Sequence, residues 1–591
     1  MPIETITFFE CLERAYDGRY RLPVFQRPWK WQRKKVIALY DSLRSEYPIG
    51  TMLTAKADAF SSSEPVKFGA DKSELKEPEL LILDGQQRIT SGIQLFYGNA
   101  PSQTIHYFID IENIKHLLQI WEVENGATNY EREKLSEFGQ SLEPDDGYLT
   151  ASSRSNNPHS LFIDKKKIFS PLLAPWNTTQ WAAERQKYLD KNPEDIKLID
   201  WIYSFFQGGN LNPQIPNIII SQTDHRILSR IFSTLNNTGL RLTSFELAVS
   251  EMFGQGVDLK KEIDEQANRL KYYQNVDPTN EIVLQTVVLF DDGDPKKANL
   301  SKNLTKENWN KHKRSAFECL EAVGEFLDEH MGFALKNSNS YVPYDSLFLP
   351  LAYLWKHDNP LEKKSSSDRR IALKIVKKYV VSSCLHTRFT EGAFTKQKID
   401  AKKLVEAVRN LDEAYLDNTL FEPYSGLHSA TPKGGAIGKL VLCLMNANGI
   451  RDPLSGKKID LNDSGLHLHH IWPTDFVSGL PREETNIKAN LLANIMIVSQ
   501  ETNSEFSNFD PKSQIEKIEN AQRHKTQSLL DTHRIDEAAV VIMKKSKKQV
   551  ADFENFINLR VQSLAQMIFD DYGLEYISNP EDEKLDLDED Y

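Results

Sequence analysis

Between residues 466 and 476 the chain reads LHLHHIWPTDF, placing His467, His469 and His470 within four positions although the 591 residues hold only 14 histidines. Imidazole chemistry allows metal ligation, proton transfer near neutral pH, or a strand end that is merely polar. On a strand His467 and His469 share one face, His470 points to the other, and Pro473 ends the run. A short apolar strand follows at Ile495 to Val498, and then a helix that carries asparagines. Imidazole nitrogen and amide oxygen together suit a single hard or borderline divalent ion.

Three further stretches carry polar groups that a simple core does not need. In LPVFQRPWKWQ, residues 22 to 32, two prolines flank Gln26 and Arg27 and keep the segment extended, with Trp29 and Trp31 beside them. An arginine and a glutamine next to indoles can hold a nucleotide by phosphate pairing and stacking, although tryptophans more often belong to a core. In LLILDGQQRITSGIQLF, residues 80 to 96, an apolar strand breaks at Asp84 and Gly85 and a helix begins, bringing Gln86, Gln87 and Arg88 to its N-terminus. That arrangement favours anions, while a plain strand-to-helix connection capped by Asp84 is the simpler alternative. In FSTLNNTGLRLTSFELA, residues 232 to 248, Asn236 and Asn237 are ordinary turn formers before Gly239, and Arg241 can add a phosphate contact.

The elements that must position these groups follow from periodicity. A helix is expected over residues 5 to 18, where Ile6, Phe9, Leu12 and Tyr16 recur at helical spacing, and another over KKVIALYDSLRSEY before Pro48. Strands are expected at GTMLTAKA, ELLILD, TIHYFIDI and PNIIISQ, with polar, largely helical material from 112 to 215. Residues 225 to 253 read as helix, turn, helix, with Thr243 and Glu246 in a capping box. From about 256 to 429 the pattern is helical, a connector before the KGGAIGKLVLCLMNANG helix and the turn-rich RDPLSGKKIDL. The expected organisation is α+β and multidomain, with parts at 1–255, 256–429 and 430–575 and an acidic, disordered tail at 576–591.

Composition narrows the class. Hydrophobic residues at 40% describe folded globular material, and no apolar run approaches the ~18 residues a membrane span needs. The N-terminus lacks the basic and apolar sections of a secretory signal, so the cytoplasm is the expected compartment. Cys11, Cys319, Cys384 and Cys443 stand too far apart for a thiolate zinc motif and do not suggest a disulfide framework. The net charge of -12 argues against binding nucleic acid through a global field, but the last 14 residues hold seven acids and one lysine and supply half of it. Lysine clusters at 164–168 and 543–549 are solvated faces or local phosphate contacts.

The four stretches, in this order, resemble the GmrSD family of modification-dependent (type IV) restriction endonucleases in its single-chain arrangement. FQRPW, LDGQQRIT and LNNTGLRLTSFEL are similar to the signatures of its N-terminal half, a ParB/sulfiredoxin-like domain that binds and hydrolyses nucleoside triphosphates; HHIWP with the downstream asparagines resembles its C-terminal HNH nuclease, a ββα-metal unit here embedded in helices. The resemblance covers about 1–255 and 430–560. It implies that His470 is the general base, His469 a metal ligand, Asn494 the central asparagine of the catalytic motif, pinning its loop, and Asn503, nine residues later, the last ligand. It further implies that Gln26, Arg27, Asp84, Gly85, Gln86, Gln87, Arg88 and Asn236 bind the nucleotide, GTP, ATP or another. The metal would be Mg2+ or Mn2+, and the substrate double-stranded DNA carrying a modification.

Two departures stand out: the gap from His470 to Asn494 exceeds that of a minimal HNH finger, and the last ligand is asparagine rather than histidine. His467 has no counterpart and reads as an exposed strand residue. Three functions therefore compete: a nucleotide-regulated endonuclease against modified phage DNA, a nucleotide-dependent DNA-binding switch whose finger is only structural, and an indiscriminate nuclease toxin. No residue chooses among glucosylated or simpler cytosine modifications and phosphorothioate backbones, and the choice between monomer and homodimer is open.

Overall fold

The computed structural model describes residues 3–23, 26, 29–57, 75–97, 105–125, 132–153, 162–163, 167–169, 178–206, 212–221, 243–478, 489–545 and 549–578. Arg27, Asn236, Asn237, Gly239, Arg241, parts of both lysine clusters and most of the acidic tail lie outside the described residues. The chain forms two compact units, 1–260 and 261–591. Among the described residues no helix is long and apolar enough to cross a membrane.

The first unit is built on a mixed five-stranded sheet of order β1-β9-β3-β4-β2, where β1 is Ile3–Thr7, β2 Tyr20–Arg21, β3 Met52–Lys56, β4 Leu80–Asp84 and β9 Gln214–Ile220. The helix expected from residue 5 starts later. Residues IETIT, rich in β-branched side chains, pair antiparallel with β9, and the helix Phe8–Tyr16 begins after Thr7, whose Oγ1 accepts from Glu10 N at 3.3 Å. Strand β4 is buried until Asp84, and Gly85 at φ +107° turns the chain into the helix Gln86–Tyr97.

A second sheet, antiparallel with order β6-β5-β8-β7, falls largely in the stretch expected to be helical. It comprises β5 Ile105–Asp110, β6 Leu149–Ser153, β7 Phe162–Ile163 and β8 Lys167–Phe169. The last three are short, and segments such as LTASS offer too few apolar residues to display a period of two. The predicted capping box is formed: Thr243 Oγ1 accepts from Glu246 N at 3.2 Å, and Glu246 Oε2 accepts from Thr243 N at 2.9 Å, starting the helix Ser244–Gly254.

Among its described residues the second unit is helical apart from one two-stranded antiparallel sheet, β10 Leu466–His470 and β11 Ile495–Ser499, and isolated bridges. Helix Lys306–Met331 packs against Phe348–Asp358 and Gly435–Ala447, while Ser366–Leu385 packs against Gly435–Ala447 and Val550–Tyr572. Helices of the 256–429 stretch thus share a core with the segment that follows it. Its apolar faces, including Trp309, Leu320, Leu327, Val376 and Leu440, are fully or nearly fully buried.

Candidate active site

The β10/β11 register pairs His467 with Val498, His469 with Met496 and His470 with Ile495. His467 is exposed, while His469 is buried against the ring of Phe506 at a centroid distance of 5.2 Å. The helix Gln500–Phe506 follows β11 directly. It carries Asn503 to His469, whose Nδ1 lies 3.0 Å from Asn503 Oδ1. His470 emerges from the other face, but because the strand ends there it lines the same cleft of about 320 Å³ as His469, Asn503, Thr474, Asp475 and Asn508. Its Nε2 is buried and makes no hydrogen bond.

Asn494 is fully buried and joins the two described ends, 471–478 and 489–494, of the stretch between the strands. Its Oδ1 accepts from Trp472 N at 2.9 Å, and its Nδ2 donates to Trp472 O at 2.9 Å and Ala489 O at 2.8 Å. Asn494 O also accepts from Ile471 N at 2.9 Å. A side chain that both accepts and donates holds the loop's two ends together however long the loop is, which accommodates the extended gap after His470. Trp472 in turn packs on Phe553 and Phe556 of the Val550–Tyr572 helix.

Sequence reasoning missed three supporting residues. Asp452, from the turn-rich excursion, is 1% exposed. It accepts from Ser499 N at 3.0 Å and Thr502 Oγ1 at 2.7 Å, fixing the junction from which Asn503 projects. Burial alone would raise its pKa, but the backbone N–H groups of Ser455 and Ser499 and the Thr502 hydroxyl outweigh it and hold the carboxylate below its usual range. Arg560 donates to Ala493 O at 2.9 Å and His533 O at 3.2 Å, bracing the turn next to Asn494. Burial lowers its pKa to about 9, which leaves it charged at neutral pH. Gln514 donates its Nε2 to Ile471 O at 3.0 Å and Phe509 O at 2.8 Å, which fixes its carboxamide. Only the buried-partner pattern of the fold identifies these three; no local spacing marks them.

Among the described residues no group of three or more His, Cys, Asp and Glu side chains is placed to hold a metal. The set available here relies on an amide oxygen. Two ligand atoms in neighbouring positions of an octahedral ion with bonds of about 2.1 Å stand roughly 3 Å apart. The His469 Nδ1 to Asn503 Oδ1 separation of 3.0 Å matches that spacing. The leftover atoms are His469 Nε2 and Gln514 Oε1, both buried without a hydrogen bond of good geometry, although the Gln514 side chain is near enough to raise the ring's proton affinity. A neutral imidazole has one N–H for two acceptors, Asn503 Oδ1 and Gln514 Oε1. A second proton does not resolve the conflict easily, because burial lowers the His469 pKa against the opposing effects of Asn503 and Gln514. A cation between Nδ1 and Asn503 Oδ1 does, leaving Nε2–H for Gln514. His469 Nδ1 and Asn503 Oδ1 are thus the atoms that could hold one divalent ion.

Deep burial of imidazoles gives this unit an acid limit. His533 is fully buried with Nε2–H donating to Arg451 O at 2.8 Å, and burial pushes its pKa down to about 4. The unfolded chain takes up the proton near the ordinary value of about 6.5. The stabilising contribution is therefore complete above that value and is lost as pH falls toward 4, by up to about 3 kcal/mol. His469 acts in the same direction. Urea unfolding between pH 7 and 4 should show this loss, and His533→Gln, which keeps a donor for Arg451 O without a titrating ring, should remove much of it.

In the first unit, the candidate nucleotide residues gather at the end of β4. Gln26 donates Nε2 to Ile82 O at 3.1 Å and Leu83 O at 2.9 Å, Trp29 Nε1 donates to Ser91 Oγ at 3.1 Å, and Gln87 Oε1 accepts from Lys30 N at 2.9 Å. The proline-flanked segment is thereby stitched to the strand and helix that carry the second motif. Lys30 Nζ meets Glu246 Oε1 at 2.8 Å, so the capping glutamate of the third motif reaches the same place. Gln86 and Gln87 are buried, and Asp84 is exposed.

Arg88 is not displayed at this turn: it donates to Ile49 O, to Thr51 O at 2.6 Å and to Asp84 Oδ2 at 3.3 Å, and its side chain is 17% exposed. Burial lowers its pKa, opposed by Asp84. Gly50, at φ +89°, makes room for it, since a Cβ there would sit 2.6 Å from Arg88 Nη1. The described residues therefore unite Gln26, Asp84, Gly85, Gln86, Gln87 and Arg88, with the Arg88 guanidinium bonded to the Ile49 and Thr51 carbonyls.

Residues 8–253 match the family described as the GmrSD restriction endonuclease, N-terminal domain. The first unit is thus similar to the N-terminal domain of a restriction endonuclease family. Over 96% of its length the chain also aligns with the uncharacterized protein MJ0686 of Methanocaldococcus jannaschii, at 24% identity and covering 99% of that protein.

Proposed function

We propose that the protein is a metal-dependent DNA endonuclease of the restriction type, with phosphodiester hydrolysis in the histidine cleft of the second unit and nucleoside triphosphate binding in the first. The observation that carries this is the pairing of His469 with Asn503 at 3.0 Å beside His470, whose Nε2 is free of competing bonds, over a loop clamped by Asn494. The match of residues 8–253 to the GmrSD N-terminal domain supports DNA as the substrate.

His469 and Asn503 would hold one divalent ion, Mg2+ or Mn2+, which when bound supplies Lewis-acid stabilisation of the leaving 3′ oxygen. His470 takes the proton from the attacking water. Asn494 fixes the loop that joins the two strands, so that base and ligands keep their spacing. In the first unit the start of the Gln86–Tyr97 helix, with Asp84 exposed beside it, would receive the phosphates through backbone N–H groups, with Arg88 shaping the turn rather than gripping the anion. Nucleotide turnover would license cutting after modified DNA is sensed.

The test uses the full chain with Mg2+ and each nucleoside triphosphate on matched modified and unmodified phage DNA. Cutting should require a triphosphate and favour modified DNA. Equal cutting without nucleotide would refute the coupling, and equal cutting of both DNAs would favour an indiscriminate nuclease.

A further inference from the structure

The segment KKSSSDRRIALKIVKK, residues 363 to 378, sets seven basic residues against one acid in a chain whose net charge is -12. It enters the helix Ser366–Leu385, which buries Ala372, Ile375, Val376, Tyr379 and Val380. That inward face turns Arg370 and Lys374 to the surface, with Lys377 half-buried beside them. With the last turn of the Val550–Tyr572 helix they border a groove of about 470 Å³, which Leu373 and Tyr572 also line.

The cations at the edges of the segment are already neutralised: Lys363 pairs with Asp358 at 2.8 Å and Lys378 with Glu413 at 2.9 Å. Those in the groove are not. Among the described residues Arg370, Lys374 and Lys377 have no ion-pair partner, and Arg369 spends one N–H on Lys363 O at 3.1 Å. The one carboxylate lining the groove, Asp571, accepts from Asn448 Nδ2 at 3.3 Å. Lys377 is partly withdrawn from water, which lowers its pKa, with Asp571 only partly opposing. A half-buried ammonium without a paired carboxylate is costly unless an anion arrives.

At 1.5 Å per residue, the stretch from Arg370 to Lys377 extends about 10 Å, so its three unpaired cations are spread along the helix rather than gathered around one point. That is more than one phosphate group needs. We propose that this groove is a docking surface for the phosphate backbone of double-stranded DNA, gripping the substrate irrespective of base sequence. The assignment rests on the reading of the chain as a DNA-cutting enzyme.

The experiment measures binding of a fluorescent duplex to the full chain in EDTA by anisotropy at several salt concentrations. It compares wild type with Arg370→Gln/Lys374→Gln, both at exposed positions, and with the triple variant that adds Lys377→Gln. Each lost phosphate contact should reduce the slope of log affinity against log salt by about 0.9, hence by about 1.8 and 2.7. Hydrolysis of a small phosphodiester, bis(p-nitrophenyl) phosphate, should stay at the wild-type rate. Wild-type slopes in both variants overturn the groove while leaving the nuclease reading intact. A wild-type chain that neither binds duplex nor hydrolyses the small ester overturns that reading instead. Loss of GTP binding with duplex binding retained would make the groove a nucleotide site and overturn the proposal.

Discussion

Asn494→Ala is expected to destabilise the second unit by about 3–5 kcal/mol and to abolish DNA cutting, because it removes three hydrogen bonds to buried backbone at once. Trp472 N, Trp472 O and Ala489 O all lose their bond to a side chain that is itself fully buried. Asn494→Asp is not expected to rescue the protein. A carboxylate can still accept from Trp472 N, but its second oxygen would face the Trp472 and Ala489 carbonyls, acceptor against acceptor. Urea titration followed by tryptophan fluorescence reads the loss of stability. Equal midpoints for wild type and Asn494→Ala would mean that the loop is held by something other than this side chain.

The second large effect falls on chemistry. His470→Ala should lower DNA cleavage by about 10²–10⁴-fold, the usual contribution of a positioned general base. Its side chain takes no part in the clamp and its Nε2 bonds to nothing, so the unfolding midpoint should stay near that of wild type. His467→Ala, at an exposed position paired with Val498, should change neither quantity. Plasmid nicking assays alongside unfolding curves separate the three histidines. A His470→Ala protein that nicks at the wild-type rate would remove it from the reaction.

The core of this site is legible in the chain itself. Strand alternation separates His470 from His469, and the nine residues from Asn494 to Asn503 span one short strand and the first turn of a helix, so local periodicity carries the geometry. The residues that hold it are not legible, since their partners are remote in sequence. Arg560 meets Ala493 across 67 residues, Asp452 meets Thr502 across 50, and Gln514 meets Ile471 across 43. Arg88 makes the same point in the first unit: the motif suggests a displayed cation, but its guanidinium bonds to the carbonyls of Ile49 and Thr51, from a loop 37 to 39 residues earlier. The N-terminal strand is not legible in the sequence because the helical period of residues 5 to 18 begins inside it, and pairing with β9 decides the conformation of its five residues.

The central claim is that His469 and Asn503 bind one metal ion while His470 serves as base. Mn2+ binding followed by electron paramagnetic resonance tests it without relying on turnover. Wild type and His470→Ala should each bind one ion with similar affinity, and His469→Ala and Asn503→Ala should weaken binding by about tenfold or more. Equal Mn2+ affinity in all four proteins would contradict the account.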